Sequence, residues 1–164
     1  MTIIHTERER IEAAIMACDT CFVGMTDTGG EPYVIPMNFA YLDGTVYLHS
    51  AQEGRKAGII ERNPNVCITF CSVDKIVCRD PGVACSYSAH AISVIGWGEV
   101  IYEDDFDRKT GILNLFMKRY TGRDFTYGAP AVRNVKVWKV ALEKVTCKET
   151  GVLRNPHKDA PSDL

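Results

Sequence analysis

Histidine and cysteine carry the most reactive chemistry in this 164-residue chain, with four of the first and seven of the second. Cys18-Asp19-Thr20-Cys21 has the spacing of a redox pair or of half a zinc site, because two thiols this close can meet each other or reach one tetrahedral ion. Zinc needs two further ligands, and no second closely spaced Cys or His pair completes the set. Cys67 and Cys71 fall in a strand-like apolar run, where they point to one face without forming a knuckle. Most of the seven, which include Cys78, Cys85 and Cys147, sit among Val, Ile and Phe, where the thiol behaves as a small core hydrophobe. An odd count also argues against a disulfide framework. No metal is expected. His49 ends an alternating segment and stands a few residues before Arg55-Lys56. An imidazole there can bind a ligand, shuttle a proton or sit as an ordinary barrel histidine bonded to its neighbours. Two adjacent cations at a helix start are, read by themselves, a solvated helix face. His90 and His157 carry less of this signal.

The elements that must position these groups are mostly strands. Thr6 and Glu9 form a capping-box pattern, and Ile11, Ile15 and Cys18 follow at helical spacing, which predicts a first helix. Thr20–Thr26 is a short apolar run, Asp27-Thr28-Gly29-Gly30 a tight turn, and Pro32–Tyr41 a second strand whose Pro36 marks an edge or an irregularity. Thr45–Ser50 sets Val46 and Leu48 against Tyr47 and His49 on opposite faces. Gly54–Asn63 reads as a short helix stopped by Pro64. Val66–Val73 is a buried strand, and Asp80-Pro81-Gly82 is a loop. His90–Tyr102 is a long strand with close backbone approach or bulges at Gly96 and Gly98. Asp104–Tyr120 is a helix with two carboxylates at its positive end. Val135–Lys148 is a last long strand, with a bulge where its apolar phase shifts between Val137 and Val140. Six strands with hairpin turns and three helices make an α+β barrel. One domain over residues 1–150 is followed by a polar tail over 151–164.

Composition narrows the function classes. A net charge of -2 and a pI near 6.1, with basic residues scattered, exclude the basic footprint of a nucleic-acid binder. No apolar run approaches the roughly 20 residues of a membrane helix, and the mixed-charge opening segment is not a secretory signal. A cytoplasmic location is the expectation.

The run Pro32-Tyr33-Val34-Ile35-Pro36-Met37-Asn38-Phe39-Ala40-Tyr41, then Val46-Tyr47-Leu48-His49-Ser50-Ala51-Gln52-Glu53-Gly54-Arg55-Lys56 through to Asn63-Pro64-Asn65, resembles the pyridoxamine 5′-phosphate oxidase-like flavin-binding proteins. Within them it is most similar to the nitroimidazole-resistance branch. Ala84-Cys85-Ser86-Tyr87-Ser88 and Ser93-Val94-Ile95-Gly96-Trp97-Gly98-Glu99 extend the likeness over roughly residues 5 to 150. The resemblance implies a six-stranded split β-barrel that forms a homodimer with flavin at the interface. FMN is the usual cofactor, with FAD as the larger alternative. It places the ring system along Pro36, Met37, Asn38 and Phe39 and near Ser93, and the phosphate by Ser50, Arg55 and Lys56. Those residues suit the task, since a hydroxyl, a guanidinium fork, an ammonium and a helix start all favour a phosphate monoester. His49 matches the position of a histidine beside the cofactor that is linked to reactivity, so it is the candidate catalytic group. Cys85 and Tyr87 are candidates for a small-molecule substrate pocket, and Trp97 and Trp138 for the flavin or the dimer seam.

The implied activity is flavin-dependent oxidoreduction, with nitro-aromatic compounds such as nitroimidazoles as the small-molecule substrate. No Gly-x-Gly-x-x-Gly nicotinamide fingerprint is present. Two alternatives stand beside it. One is a non-catalytic flavin- or haem-binding protein, in which His49 or Cys85 ligates iron. The other is oxidation of pyridoxamine phosphate itself, for which the chain is short.

Overall fold

A computed structural model of the protein describes residues 1–153. Its elements run β1 (Ile3–His5), α1 (Arg8–Met16), β2 (Cys21–Thr26), β3 (Pro32–Met37), β4 (Ala40–Leu42), β5 (Thr45–Ala51), α2 (Arg55–Ile60), β6 (Asn65–Cys78), β7 (Tyr87–Glu103), α3 (Phe106–Thr121), α4 (Ala129–Arg133), β8 (Val135–Ala141) and β9 (Lys144–Thr150). Neighbouring strands follow the order β3-β2-β6-β7-β8-β5-β4, and β9 joins β7 to β1. Every pairing is antiparallel.

The long strand β7 carries both halves of the barrel. One edge pairs with β6 from Tyr87 to Glu99, while the other takes β9 from Ala91 to Trp97 and then β8 from Val100 to Glu103. The change of partner falls at Gly98, where a Cβ would stand 2.3 Å from the Ala141 carbonyl oxygen. Only glycine admits that approach.

Nine strands replace the expected six because one short strand was not foreseen and two long ones are broken. β1 is the unforeseen strand, lying along β9. The segment Pro32–Tyr41 parts at Asn38-Phe39 into β3, on the β2 side, and β4, on the β5 side. The last strand is interrupted at Leu142-Glu143, where β8 gives way to β9 in the same direction along β7 with the register shifted by one residue. The expected bulge near Val137 is absent, since β8 pairs with β5 without interruption. The apolar phase shift has another cause: Val137 packs under α3 outside the barrel, whereas Trp138 and Val140 pack inside, so β8 is buried on both faces.

The barrel core holds Val23, Leu48, Ile68, Phe70, Val94 and Trp138, all at zero exposure, with Ile15 of α1 and Ile59 and Ile60 of α2 packed into it. The first helix starts differently from its sequence signal. Glu7 is the N-cap residue and no side chain caps the helix; its carboxylate instead accepts the Thr6 amide at 3.1 Å. Pairing of β1 with β9 as far as His5 holds the chain extended and denies Thr6 the capping geometry. α3 keeps its signal: Asp105 accepts the Arg108 amide at 2.8 Å, and Gly122 closes the helix in the left-handed region at φ 72°. α4 had no sequence expectation. Of the polar tail, Gly151 is buried and Val152 bonds back to Met1 at 3.0 Å. His157 and the remainder of the tail lie outside the described residues.

Candidate functional site

The two barrel halves part between β3 and β4. β3 pairs with β2 alone among the described strands, leaving its second edge free. Phe39, fully buried, bridges the gap, and its backbone is stitched to α3. Its amide donates to the Tyr120 hydroxyl at 3.0 Å, and that phenol in turn lies 3.0 Å from the Phe39 carbonyl and 2.8 Å from the Asp19 carbonyl. One phenol proton serves only one of those oxygens at a time, so Tyr120 acts as a three-way pin. Arg119 lies over the Phe39 ring at 4.4 Å and donates to the Cys18 carbonyl. Sequence reasoning missed both roles. Arg119-Tyr120 had registered only as part of the helical period, and nothing local marks a side chain whose partners lie some eighty to a hundred residues away.

Of the four residues expected along the ring system, Pro36 and Asn38 present side chains to solvent, while Met37 and Phe39 turn inward and offer backbone alone. Pro36 sits on the free-edged strand, as its missing amide suggested. β4 takes up its pairing with β5 only at Ala40, opposite Tyr47.

β5 alternates as expected, with Val46, Leu48 and Ser50 inward and Tyr47 and His49 outward under α3. The His49 ring stands edge-on to Phe116, centroids 4.7 Å apart at 89°, with its other side open to solvent. Desolvation by the surrounding protein, reinforced by the charge of Lys56, holds its pKa below the usual imidazole value. The ring is therefore neutral at neutral pH, with one nitrogen free to accept and one to donate.

Beyond β5, Gly54 takes φ 122°, a conformation closed to other residues, and admits the chain into α2. Arg55 is committed: it pairs with Glu31 at 2.7 Å and stacks on Tyr33 at 4.6 Å, tying α2 to the β2–β3 hairpin. Lys56, beside His49, makes no ion pair among the described residues. Ser50 faces the core, where it donates to the Ala51 carbonyl at 2.8 Å and accepts the Trp138 indole N–H at 3.2 Å. Gln52 ties the loop to α4 through the Arg133 carbonyl at 2.7 Å. Lys56 thus lies near enough to His49 for its charge to act on the imidazole, while Pro36 and Asn38 are exposed where β3 and β4 part.

Ser93 lies apart from that group, opposite Cys71 and Lys148 on the outer face of the other half-barrel. Register fixes which side chains share this face: Pro36, Phe22, Thr69 and Ile95 in one row, Val34, Gly24, Cys67 and Trp97 in the next, and Cys71 beside Ser93. All are uncharged. Val34 is 62% exposed, Phe22 46% and Trp97 36%, and Lys144 of β9 reaches back over Trp97 at 5.2 Å. Trp138 instead belongs to the core.

Cys18 and Cys21 are buried, with their thiols donating to the Ala14 and Met37 carbonyls at 3.5 and 3.4 Å. Burial pushes the Cys21 thiol up to about 12, so this pair is structural. Among the described residues no cluster of three or more His, Cys, Asp or Glu suits a metal. Cys85 and Tyr87 stand at the tip of the β6–β7 hairpin, beside a cleft of about 380 Å³ that Val77, Arg79 and Val152 also line. No described helix is long and apolar enough to cross a membrane.

Fold and site define a split β-barrel of the flavin-binding kind, with flanking helices. Residues 7–149 match the family described as pyridoxamine 5′-phosphate oxidase, and the chain belongs to that family. Among solved structures it is similar to a candidate 5-nitroimidazole antibiotic resistance protein of Bacteroides thetaiotaomicron, at 46% identity over 91% of this chain and 87% of that one, TM-score 0.82. A flavocytochrome of Azotobacter vinelandii (21% identity, 98% and 76% covered, TM-score 0.78) shares the fold. So does an FAD- and heme-binding protein of Mycobacterium smegmatis (14% identity, 93% and 75% covered, TM-score 0.81). No curated protein matches the chain at a significant level.

Proposed function

We propose that the protein is a flavin-dependent oxidoreductase that reduces nitro-aromatic compounds of the nitroimidazole type, working in the cytoplasm as a homodimer with flavin at the interface. The observation that carries this reading is the free edge of β3 beside exposed Pro36 and Asn38, with His49 next to Lys56 on the elements that follow, in a chain 46% identical to a candidate nitroimidazole-resistance protein. The residues fit a flavin. An open strand edge and the Asn38 amide offer hydrogen bonds to a flat heterocycle, Pro36 offers it an apolar surface, and Lys56 is an uncommitted cation for the phosphate. FMN is the form these groups serve, with FAD the extended form of the same ligand.

Bound flavin supplies the electron transfer. Around it the chain's own residues orient and neutralise. Lys56 offsets phosphate charge, and Arg55 joins it only by leaving Glu31. His49, neutral and half in solvent, has one ring nitrogen protonated and one free beside the split, so it can pass a proton to a reduced substrate while its other nitrogen takes one from solvent. The outer face bearing Phe22, Val34, Ile95 and Trp97 exposes apolar side chains of a kind that a monomer rarely leaves open, and a second copy covers it. Ser93 lies on that face, so it meets flavin only across the dimer seam.

The test is the absorption spectrum of the purified protein, with the released chromophore identified by mass. A flavin spectrum with FMN or FAD released, followed by reduction of a nitroimidazole, supports the reading. A haem Soret band, or a colourless protein that ignores added flavin, overturns it.

A further inference from the structure

Away from the split, β6 and β7 run on past the rest of the sheet. β2 reaches β6 only at Cys67–Thr69 and β9 reaches β7 only from Ala91, so Lys75–Cys78 and Tyr87–His90 form a ribbon of two strands. Two strands alone are marginally stable in water. This ribbon also exposes Val73 at 63%, Ile76 at 66% and Tyr87 at 48%.

A bulge at Asp74 sets which way the ribbon faces. Val73 pairs with Ala91, but Lys75 rather than Asp74 pairs with His90, and Ile76 pairs with Ala89. Below the bulge the outward residues of β6 are Cys67, Thr69, Cys71 and Val73. Above it they are Ile76 and Cys78, beside Ala89 and Tyr87. The extra residue therefore keeps one apolar stripe in phase along the whole strand pair. Without it, Lys75 and Val77 would point outward and Ile76 inward.

The bulge is anchored by one histidine. His90 Nδ1 lies 3.2 Å from Asp74 Oδ2 and His90 Nε2 lies 2.9 Å from Glu149 Oε1. Glu149, nearly buried on β9, takes His5 Nε2 at 2.7 Å and Arg10 at 2.9 Å on its other oxygen. Carboxylates at neutral pH only accept, so a ring with both nitrogens on carboxylates has both protonated. A neutral ring keeps one contact and turns a lone pair on the other. Lys75, directly opposite on β6, is the remaining charge facing His90.

The geometry points to His90 as a pH-dependent clamp: as imidazolium it ties the Asp74 bulge to Glu149 and holds the ribbon in phase with the apolar face, and on deprotonation it releases Asp74 and frees the ribbon. Asp74 is the end that goes, because it is exposed while Glu149 keeps Arg10 and His5. Both carboxylates hold the His90 pKa above its usual value, so the clamp is set below that value and lost as pH rises through the elevated one. The effect on self-association rests on the homodimer proposed above; the clamp itself does not.

Hydrogen exchange of the full-length protein between about pH 6 and pH 8.5, corrected for the intrinsic pH dependence of exchange, reads the clamp. Sedimentation of the same samples reads the dimer. Residues 74–78 and 87–90 are expected to lose protection several-fold with rising pH, while 66–70 do not. H90Q and D74N are expected to show the high-pH pattern already at the lower pH, and the dimer to weaken in parallel. Ribbon protection that is the same at both pH values, or the same in wild type, H90Q and D74N, overturns the clamp, whether or not the protein dimerises. A monomer at every pH whose ribbon protection still follows His90 retires the dimer and leaves the clamp standing.

Discussion

His49 and Phe116 meet edge to face, centroids 4.7 Å apart and planes at 89°, which fixes the imidazole of β5 against the helix that covers it. Removing the phenyl ring opens the site. Phe116→Ala is expected to cost about 3–5 kcal/mol in denaturant unfolding, as for other buried aromatics. It is also expected to return the His49 pKa toward the ordinary imidazole value, read by NMR titration.

The depressed His49 pKa has a signed consequence for stability. The folded protein holds fewer protons at this site than the unfolded chain does, so its contribution is lost as pH falls below the ordinary histidine value. Lys56→Ala removes the charge that adds to the depression. It is expected to raise the His49 pKa and to make that loss smaller, though by less than the removal of Phe116 would, because desolvation is the larger cause. Thermal melts between about pH 5 and pH 7.5 measure it.

Flavin affinity separates the two neighbouring cations. Lys56→Ala is expected to weaken binding by about 10- to 100-fold, the value of one charge-assisted contact. Arg55→Ala is expected to cost less, since its guanidinium is already spent on Glu31. Glu31→Ala, which frees Arg55, is expected to strengthen binding. Fluorescence titration with FMN ranks the three.

Trp97→Glu removes the exposed indole from the outer face and is expected to weaken the dimer by roughly 30-fold or more, read by sedimentation. The fold of the monomer is expected to survive it, because Trp97 is not part of the barrel core.

Ser50→Ala leaves the Trp138 indole N–H buried without its partner, and is expected to cost about 1–3 kcal/mol of stability. Thiol alkylation at neutral pH gives an independent reading of burial. Cys85 is expected to react first, and Cys18, Cys21 and Cys147 to be spared until the protein unfolds, as peptide masses will show.

Much of this architecture is legible in the sequence where a signal is local. The Asp27 turn, the alternation of β5, the Asp105 cap and the close approach at Gly98 are each written in a few adjacent residues. What is not legible depends on partners far along the chain. The break at Asn38-Phe39 exists because β3 and β4 are claimed by different neighbours, and the pin that holds it comes from Tyr120. The apolar phase of β8 imitates a bulge because α3 covers its second face. At the site, His49 and Lys56 are marked by the resemblance to the flavin-binding family rather than by type and spacing alone, whereas the inward turn of Ser50 and Met37 follows from strand parity. The commitment of Arg55 to Glu31 requires the hairpin to be in place.

Since β7 holds one edge for strands that arrive 32 or more residues after it ends, neither half of the barrel can close by itself. Sheet formation must wait for long-range pairings, which makes for slow folding and a high sequence separation of contacts. In return the two halves melt together: a lesion at the Leu142–Glu143 irregularity loosens both β8 and β9 from β7, so its damage is expected to reach the cofactor side and the ribbon side as one cooperative event.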